Sequence, residues 1–289
     1  MIEEQTMARS ARALHSPKLA ALLTCAIFLV SCMGQEAVKP SASNAMSRGA
    51  PTGYLQPEEV PNSLALLPPP PENGSAMFAQ DEAVSKEAHT LRDTPRWKQA
   101  TLDAVLSFPQ AAETFSCALD APVTQQDSPR LYAMLLRMFG DTIAATSSAK
   151  NKYARARPFM VYNEPTCAPG DEASLRNNGS YPSGHTTIGW AWALVLSEVA
   201  PDRAGQVLAR GRSYGESRIV CNAHWQSDIL QGRFVGASVV ARLHANTEFR
   251  SDVEAAKKEF VAMRAKGLKP TRDCAAEAQA LSQKLKLAM

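Results

Sequence analysis

The sequence predicts an all-α protein, a compact helical bundle with an extended N-terminal strap, on three observations. Helix-favouring patterns run almost without interruption from residue 76 onward. No segment shows the apolar–polar alternation of a half-buried strand. Residues 188–200 are rich in Trp, Ala, Leu and Val, yet are too few for a membrane span and suit a buried bundle helix. With 289 residues, 45% hydrophobic and 20% charged, the chain supports one full-sized core plus a leader. Its formal net charge of +3 is too small for a nucleic-acid surface. Any concentrated positive charge must come from a few chosen Lys and Arg side chains, which fits a small anion.

Taken in order, residues 1–31 read as a lipoprotein-type export signal. Arg9, Arg12 and Lys18 precede an apolar stretch at 19–30, too short for a permanent span. It ends in Leu29, Val30, Ser31 and Cys32, which resembles a lipobox, so cleavage before Cys32 and acylation of that Cys are expected. A plainly cleaved periplasmic or secreted form is the alternative, and Met7 serves equally well as the start. The expected location is the periplasm or cell envelope, with membrane contact only through the Cys32 lipid. Residues 32–53 form a flexible tether rich in Pro, Ser, Gly and Asn. The domain is expected over 54–289. It begins with an extended strap, in which Tyr54, Leu55, Leu64, Leu66 and Leu67 offer apolar contacts to the domain surface.

Helices are predicted over 80–93, 95–106, 128–149, 184–199, 202–217, 223–245 and 247–265. Ser183 or a neighbour can cap the helix that begins near His185, and Pro201 with Asp202 can start the next. Residues 162–181, with Pro165, Pro169, Gly170, Asn177, Asn178 and Gly179, form a long irregular connection of the kind that borders active sites. Four cysteines lie beyond the leader: Cys117, Cys167, Cys221 and Cys274. Outside the cytosol an even number reads as two disulfides, with three pairings open. A zinc site is the weaker alternative, since no two of the four are close in sequence.

Three clusters carry the chemistry: Lys150 with Arg157 and Pro158; Pro182, Ser183, Gly184 and His185; and Ser217, Arg218, His224 and Asp228. Each alone has an ordinary explanation. Lys150 and Arg157 fit a basic helix end, Ser183 and Gly184 a capping turn, and His224 with Asp228 a surface pair four apart on one helix face. Together they meet a demanding specification. A phosphoryl group in transfer spreads negative charge over three equatorial oxygens, which need fixed cations and N–H donors. Lys150, Arg157 and Arg218 supply the charge, and the Ser183 and Gly184 amides at a helix N-terminus supply donors. An imidazole is a good nucleophile near neutral pH, and a carboxylate against its other nitrogen fixes the tautomer.

The three clusters resemble the signature of the type 2 phosphatidic acid phosphatase superfamily: Lys-x6-Arg-Pro, Pro-Ser-Gly-His and Ser-Arg-x5-His-x3-Asp, with every fixed position filled. The text at 179–186 and 221–228 is more closely similar to the class A bacterial non-specific acid phosphatases, a likeness covering residues 54–264. The resemblance implies that His224 attacks phosphorus, Asp228 orients it, and His185 protonates the leaving group and then activates water. Lys150, Arg157, Ser183, Gly184 and Arg218 would bind the phosphate oxygens. It implies small phosphate-ester substrates, no metal or other cofactor, and leaves room for a homo-oligomer. It also implies the disulfide Cys167–Cys221, leaving Cys117 for Cys274. Phosphotransfer, a lipid or pyrophosphate phosphatase and a vanadium-dependent haloperoxidase are the rival activities within the superfamily.

Overall fold

The structure, a computed structural model, describes residues 52–286. The expected leader, Cys32 and all but the end of the tether lie outside the described residues.

Among the described residues there is no strand. The principal helices are α1 (Ala76–His89), α2 (Pro95–Ala104), α3 (Pro129–Tyr153), α4 (Gly184–Val199), α5 (Ala204–Val220), α6 (Gln226–Leu243), α7 (Thr247–Ala265) and α8 (Cys274–Ser282). Local chemistry sets their starts. Ser75, Thr94, Ser183, Asn246 and Asp273 each accept a backbone N–H of the first turn through their side chains. Pro95 and Pro129 occupy first-turn positions where their missing N–H costs nothing.

The apolar helix α4 is the centre of the bundle. Ile188, Ala191, Trp192, Ala193, Val195 and Leu196 are fully buried, and α5, α6 and α3 pack around them. Trp192 donates its indole N–H to the Leu135 carbonyl of α3 at 3.1 Å, so the largest core side chain leaves no polar atom unpaired. The approach of α6 to α4 depends on Gly232: a Cβ there would lie 2.8 Å from the Ser183 carbonyl oxygen.

Where boundaries moved, backbone chemistry moved them. α1 runs four residues earlier than 80–93 because Ser75 caps it. The helix expected over 223–245 starts only at Gln226, because Asn222, at φ 60°, turns the chain sharply first. His224 is therefore in the entry loop, and its pairing with Asp228 is not the helix-face contact that the four-residue spacing suggests. Arg155 and Arg157 are likewise beyond α3, which ends when Ala154 adopts φ 41°. Pro158 then holds Arg157 in extended conformation. α8 lies beyond the last predicted helix, which ends at 265.

The strap does lie on the domain, although Ser63–Leu66 forms a helical turn within it. The Asp141 carboxylate of α3 accepts the Tyr54 and Leu55 N–H groups at 2.9 and 3.2 Å. Tyr54 meets Phe249 of α7 edge-on at 5.3 Å, with Arg137 stacked 3.7 Å above its ring. Leu67 is buried, whereas Leu64 and Leu66 are exposed. Disulfides join Cys167 to Cys221 and Cys117 to Cys274.

Candidate active site

The three sequence clusters converge on the N-terminal end of α4. Lys150 arrives from the last turn of α3, Arg157 from the extended segment beyond it, Ser183 to His185 from the start of α4, Arg218 from α5, and His224 and Asp228 from the entry and first turn of α6. All are buried except His185, which is partly exposed.

His224 is held from both sides. Its Nδ1 lies 3.2 Å from Asp228 Oδ2 and its Nε2 2.9 Å from Arg157 Nη1. A guanidinium has only donors, so Nε2 must accept and Nδ1 must carry the proton, which it donates to Asp228. The nitrogen with the lone pair is thus the one facing the cations. Asp228 Oδ2 also accepts the Trp225 N–H at 2.9 Å, which fixes the carboxylate at the head of α6. Burial, and then Arg157, Lys150 and Arg218, holds His224 well below the ordinary imidazole range, so the ring is neutral.

His185 is the second residue of α4, in its first turn. The Ala104 carbonyl, at the end of α2, accepts its Nε2–H at 2.9 Å, which leaves Nδ1 to exchange a second proton. Burial and the nearby Arg218 push this imidazole down as well.

The cations are crowded. Lys150 donates from Nζ to the Gly179 carbonyl at 2.5 Å. That approach needs glycine, because a Cβ on residue 179 would come within 2.6 Å of the Lys150 carbonyl oxygen. Burial, and next Arg157, lowers Lys150 well below its ordinary value. Arg157 spreads its other contacts over the carbonyls of Leu175, Asn178, Gly179 and Ala223, and burial pushes it down to about 10. Arg218 differs from both: its Nε and Nη1 are buried without a hydrogen-bond partner. Unmatched donors on a buried charge are costly, and an anion is the ligand that would satisfy them.

One expectation needs correction. The Ser183 amide is not an open donor, because it donates to the Asp228 carbonyl at 3.0 Å. The Ser183 hydroxyl caps Thr186. First-turn amides that point out of the helix begin at Gly184 and continue with His185, since neither has an intrahelical carbonyl to reach.

Two residues that sequence reasoning passed over complete the site's outer layer. Arg155 donates to Asp228 Oδ1 at 2.6 Å and to Asp81 Oδ2 of α1 at 2.8 Å. In the sequence Arg155 looked like one more charge at a basic helix end, and Asp81 lies far upstream with no motif around it. Among the described residues no group of three or more His, Cys, Asp or Glu is arranged to hold a metal ion. No described helix is long and apolar enough to cross a membrane.

Known proteins resemble this chain in sequence. A family model described as the PAP2 superfamily matches residues 130–252, which contain every residue of the three clusters. A non-specific acid phosphatase of Providencia stuartii is 46% identical over 212 residues, 73% of this chain and 86% of the relative. An acid phosphatase of Zymomonas mobilis is 36% identical over 236 residues, covering 82% and 89%. A bacterial vanadium-dependent iodoperoxidase superposes with a TM-score of 0.38 at 17% identity, over 67% of this chain and 58% of that one. That likeness is too loose to bear on fold or chemistry.

Proposed function

This chain belongs to the PAP2 superfamily, among its non-specific acid phosphatases, and we propose that it hydrolyses phosphate monoesters through a phosphohistidine formed on His224, without a metal ion. The observation that carries this reading is the buried surplus of positive charge at the mouth of α4. Lys150, Arg157 and Arg218 gather around one neutral imidazole, and two donors of Arg218 have nothing to bind. A phosphate dianion is the group that answers both.

An arriving phosphate oxygen offers Arg157 a charged acceptor better than the imidazole lone pair, so the guanidinium shifts its donor and frees His224 Nε2. Nε2 then attacks phosphorus and the bond to the ester oxygen breaks. Neutral in the free enzyme, His185 takes up a proton on Nδ1 as the anionic substrate binds and gives it to the departing alkoxide. A water molecule, losing its proton to His185, attacks the phosphohistidine, and phosphate leaves with the imidazole restored. Asp228 stabilises the charge that His224 carries between the two steps. Gly184 N–H and the three cations hold the equatorial oxygens. Because the anion is what these groups grip, the proposal covers aryl, sugar and nucleoside phosphates alike. The two disulfides support export to an oxidising compartment, and a periplasmic form acylated at Cys32 belongs to the same proposal.

The test is phosphate release from p-nitrophenyl phosphate in the presence of EDTA, with an alkaline quench to trap label on histidine. Full activity and trapped label are expected for the native chain, and neither for a folded His224→Ala variant. A strict requirement for added metal, or label on another residue type, overturns the mechanism.

A further inference from the structure

His224 uses only one oxygen of Asp228. The other, Oδ1, accepts from Arg155 Nη1 at 2.6 Å, and Arg155 Nη2 continues to Asp81 Oδ2 at 2.8 Å. Asp81 is fixed in turn by Ser227, whose N–H donates to Oδ1 at 2.8 Å and whose hydroxyl donates to Oδ2 at 2.6 Å. Arg155 Nη1 also donates to Ser227 Oγ at 2.8 Å. The guanidinium is flanked by the rings of Trp225 at 5.5 Å and Phe78 at 5.9 Å. The side chains of Asp81, Arg155 and Asp228 are 2%, 8% and 0% exposed, so water screens none of these charges well.

We propose that Arg155 and Asp81 are positioning residues that set the geometry and the charge that Asp228 presents to His224. The inference rests on the assignment of His224 as nucleophile. An unopposed buried carboxylate beside His224 would hold a proton on Nε2 and silence it. A carboxylate fully neutralised by one Arg would give no support to the charged phosphohistidine. Asp81 takes part of the Arg155 charge, and the alternating order of the three groups leaves Asp228 between those extremes. The fork geometry of arginine, which bridges two carboxylates and a hydroxyl, is what the arrangement uses. A simple brace between α1 and α6 would need the same contacts but would not govern proton affinity at His224.

The other charged and titratable groups facing His224 are Lys150 of α3, Arg157, Arg218 of α5 and His185 of α4, and they stay constant in each variant below. Removing the Arg155 cation in Arg155→Leu moves the acid-side limb of kcat/KM up by about one pH unit, and removing the Asp81 charge in Asp81→Asn moves it down by a similar amount. Both lower kcat on the order of 10- to 100-fold, as expected when a reacting group is slightly misplaced, with KM changed less than about threefold. Arg155→Lys keeps the limb near its native position but recovers only part of kcat, since charge survives and the fork does not.

Nitrogen NMR of labelled histidine in the full chain reads the His224 titration without turnover, and circular dichroism checks each fold. Asp81→Asn is nearly isosteric and serves if Arg155→Leu does not fold. Opposite displacements of the His224 titration support the proposal; equal titrations, or displacements of one sign, overturn it. If the native chain released no phosphate, the nucleophile assignment would fall while the titrations still tested the relay. An active native chain with an inactive His224→Ala and unmoved titrations sinks the relay alone.

Discussion

Lys150 is a buried ammonium beside Arg157, and the pH dependence should report it. Its ammonium is pushed well below the ordinary 10.5 by burial and by Arg157, so its charge is lost at a lower pH than for a surface lysine. The cradle works only while charged. The alkaline limb of kcat/KM is therefore expected well below pH 10.5, and Arg157 is itself pushed down to about 10. Lys150→Arg should move that limb upward, because a guanidinium holds its proton more tightly than an ammonium in the same surroundings. On the acid side the sign reverses. His224 and His185 are both held below the ordinary 6.5, so the free enzyme keeps its nucleophile neutral into mildly acidic solution. A stopped assay of kcat/KM across pH checks both limbs. An alkaline limb at the same pH in Lys150→Arg would show that another group governs it.

At the scale of elements, the cradle depends on how closely α6 lies against α4. A side chain at residue 232 would meet the Ser183 carbonyl at 2.8 Å and Thr186 Cβ at 3.0 Å. Gly232→Ala must push the two helices apart at the end where Ser183 bonds Asp228. Overpacking of this kind costs about 1–3 kcal/mol. Tm should fall and kcat should fall with it; a lowered Tm with native kcat would show that the cradle tolerates the displacement. The central helix α4 was legible to the residue, because an apolar run behind a capping Ser leaves little choice. So was α7 at 247–265. The four-residue spacing of His224 from Asp228 imitates a helix face, and the positive φ of Asn222 that prevents it has no periodic signal. The disposal of the Ser183 amide was hidden for a similar reason, since its partner is a backbone carbonyl 45 residues away. Arg155 shows the converse limit: it lies within the first motif, yet only folding reveals that Asp81 is its partner.

For the whole molecule, the pH dependence of stability can be read from a buried polar knot that adjoins the site through Ser217, the neighbour of Arg218. Asp103 of α2 binds Arg210 Nη2 at 2.5 Å and accepts the Ser217 hydroxyl at 2.5 Å, while Arg96 donates to Ser217 at 2.9 Å. Glu277 of α8 lies 3.2 Å from Arg210 Nε, close enough for an ion pair but poorly aligned for a hydrogen bond. Burial by itself would raise the Asp103 carboxyl, but Arg210, Ser217 and Arg96 hold it below its ordinary 3.8. A depressed carboxyl contributes stability that is present above its unfolded value and lost as pH falls through the folded one. The fold should therefore survive mild acid and weaken below about pH 4, a loss that Asp103→Asn should flatten in urea titrations. The Cys117–Cys274 disulfide closes a loop of sequence separation 157 and ties α8 to this knot. Replacing both cysteines with serine should lower stability by about 2–4 kcal/mol. In Cys167→Ser/Cys221→Ser the loss should extend to kcat, because Cys221 stands three residues from His224.

The bond from the Ser183 N–H to the Asp228 carbonyl also bears on what could be moved into another protein. The second and third motifs are written far apart, yet their backbones are stitched together at 3.0 Å, with a glycine required beside the seam. A designer who grafted residues 182–185 onto a foreign helix would obtain a capped turn and no catalyst. Any portable unit must include both helices with their common seam, besides the elements that bring Lys150, Arg157 and Arg218, so inheritance and engineering alike must carry the second and third motifs together.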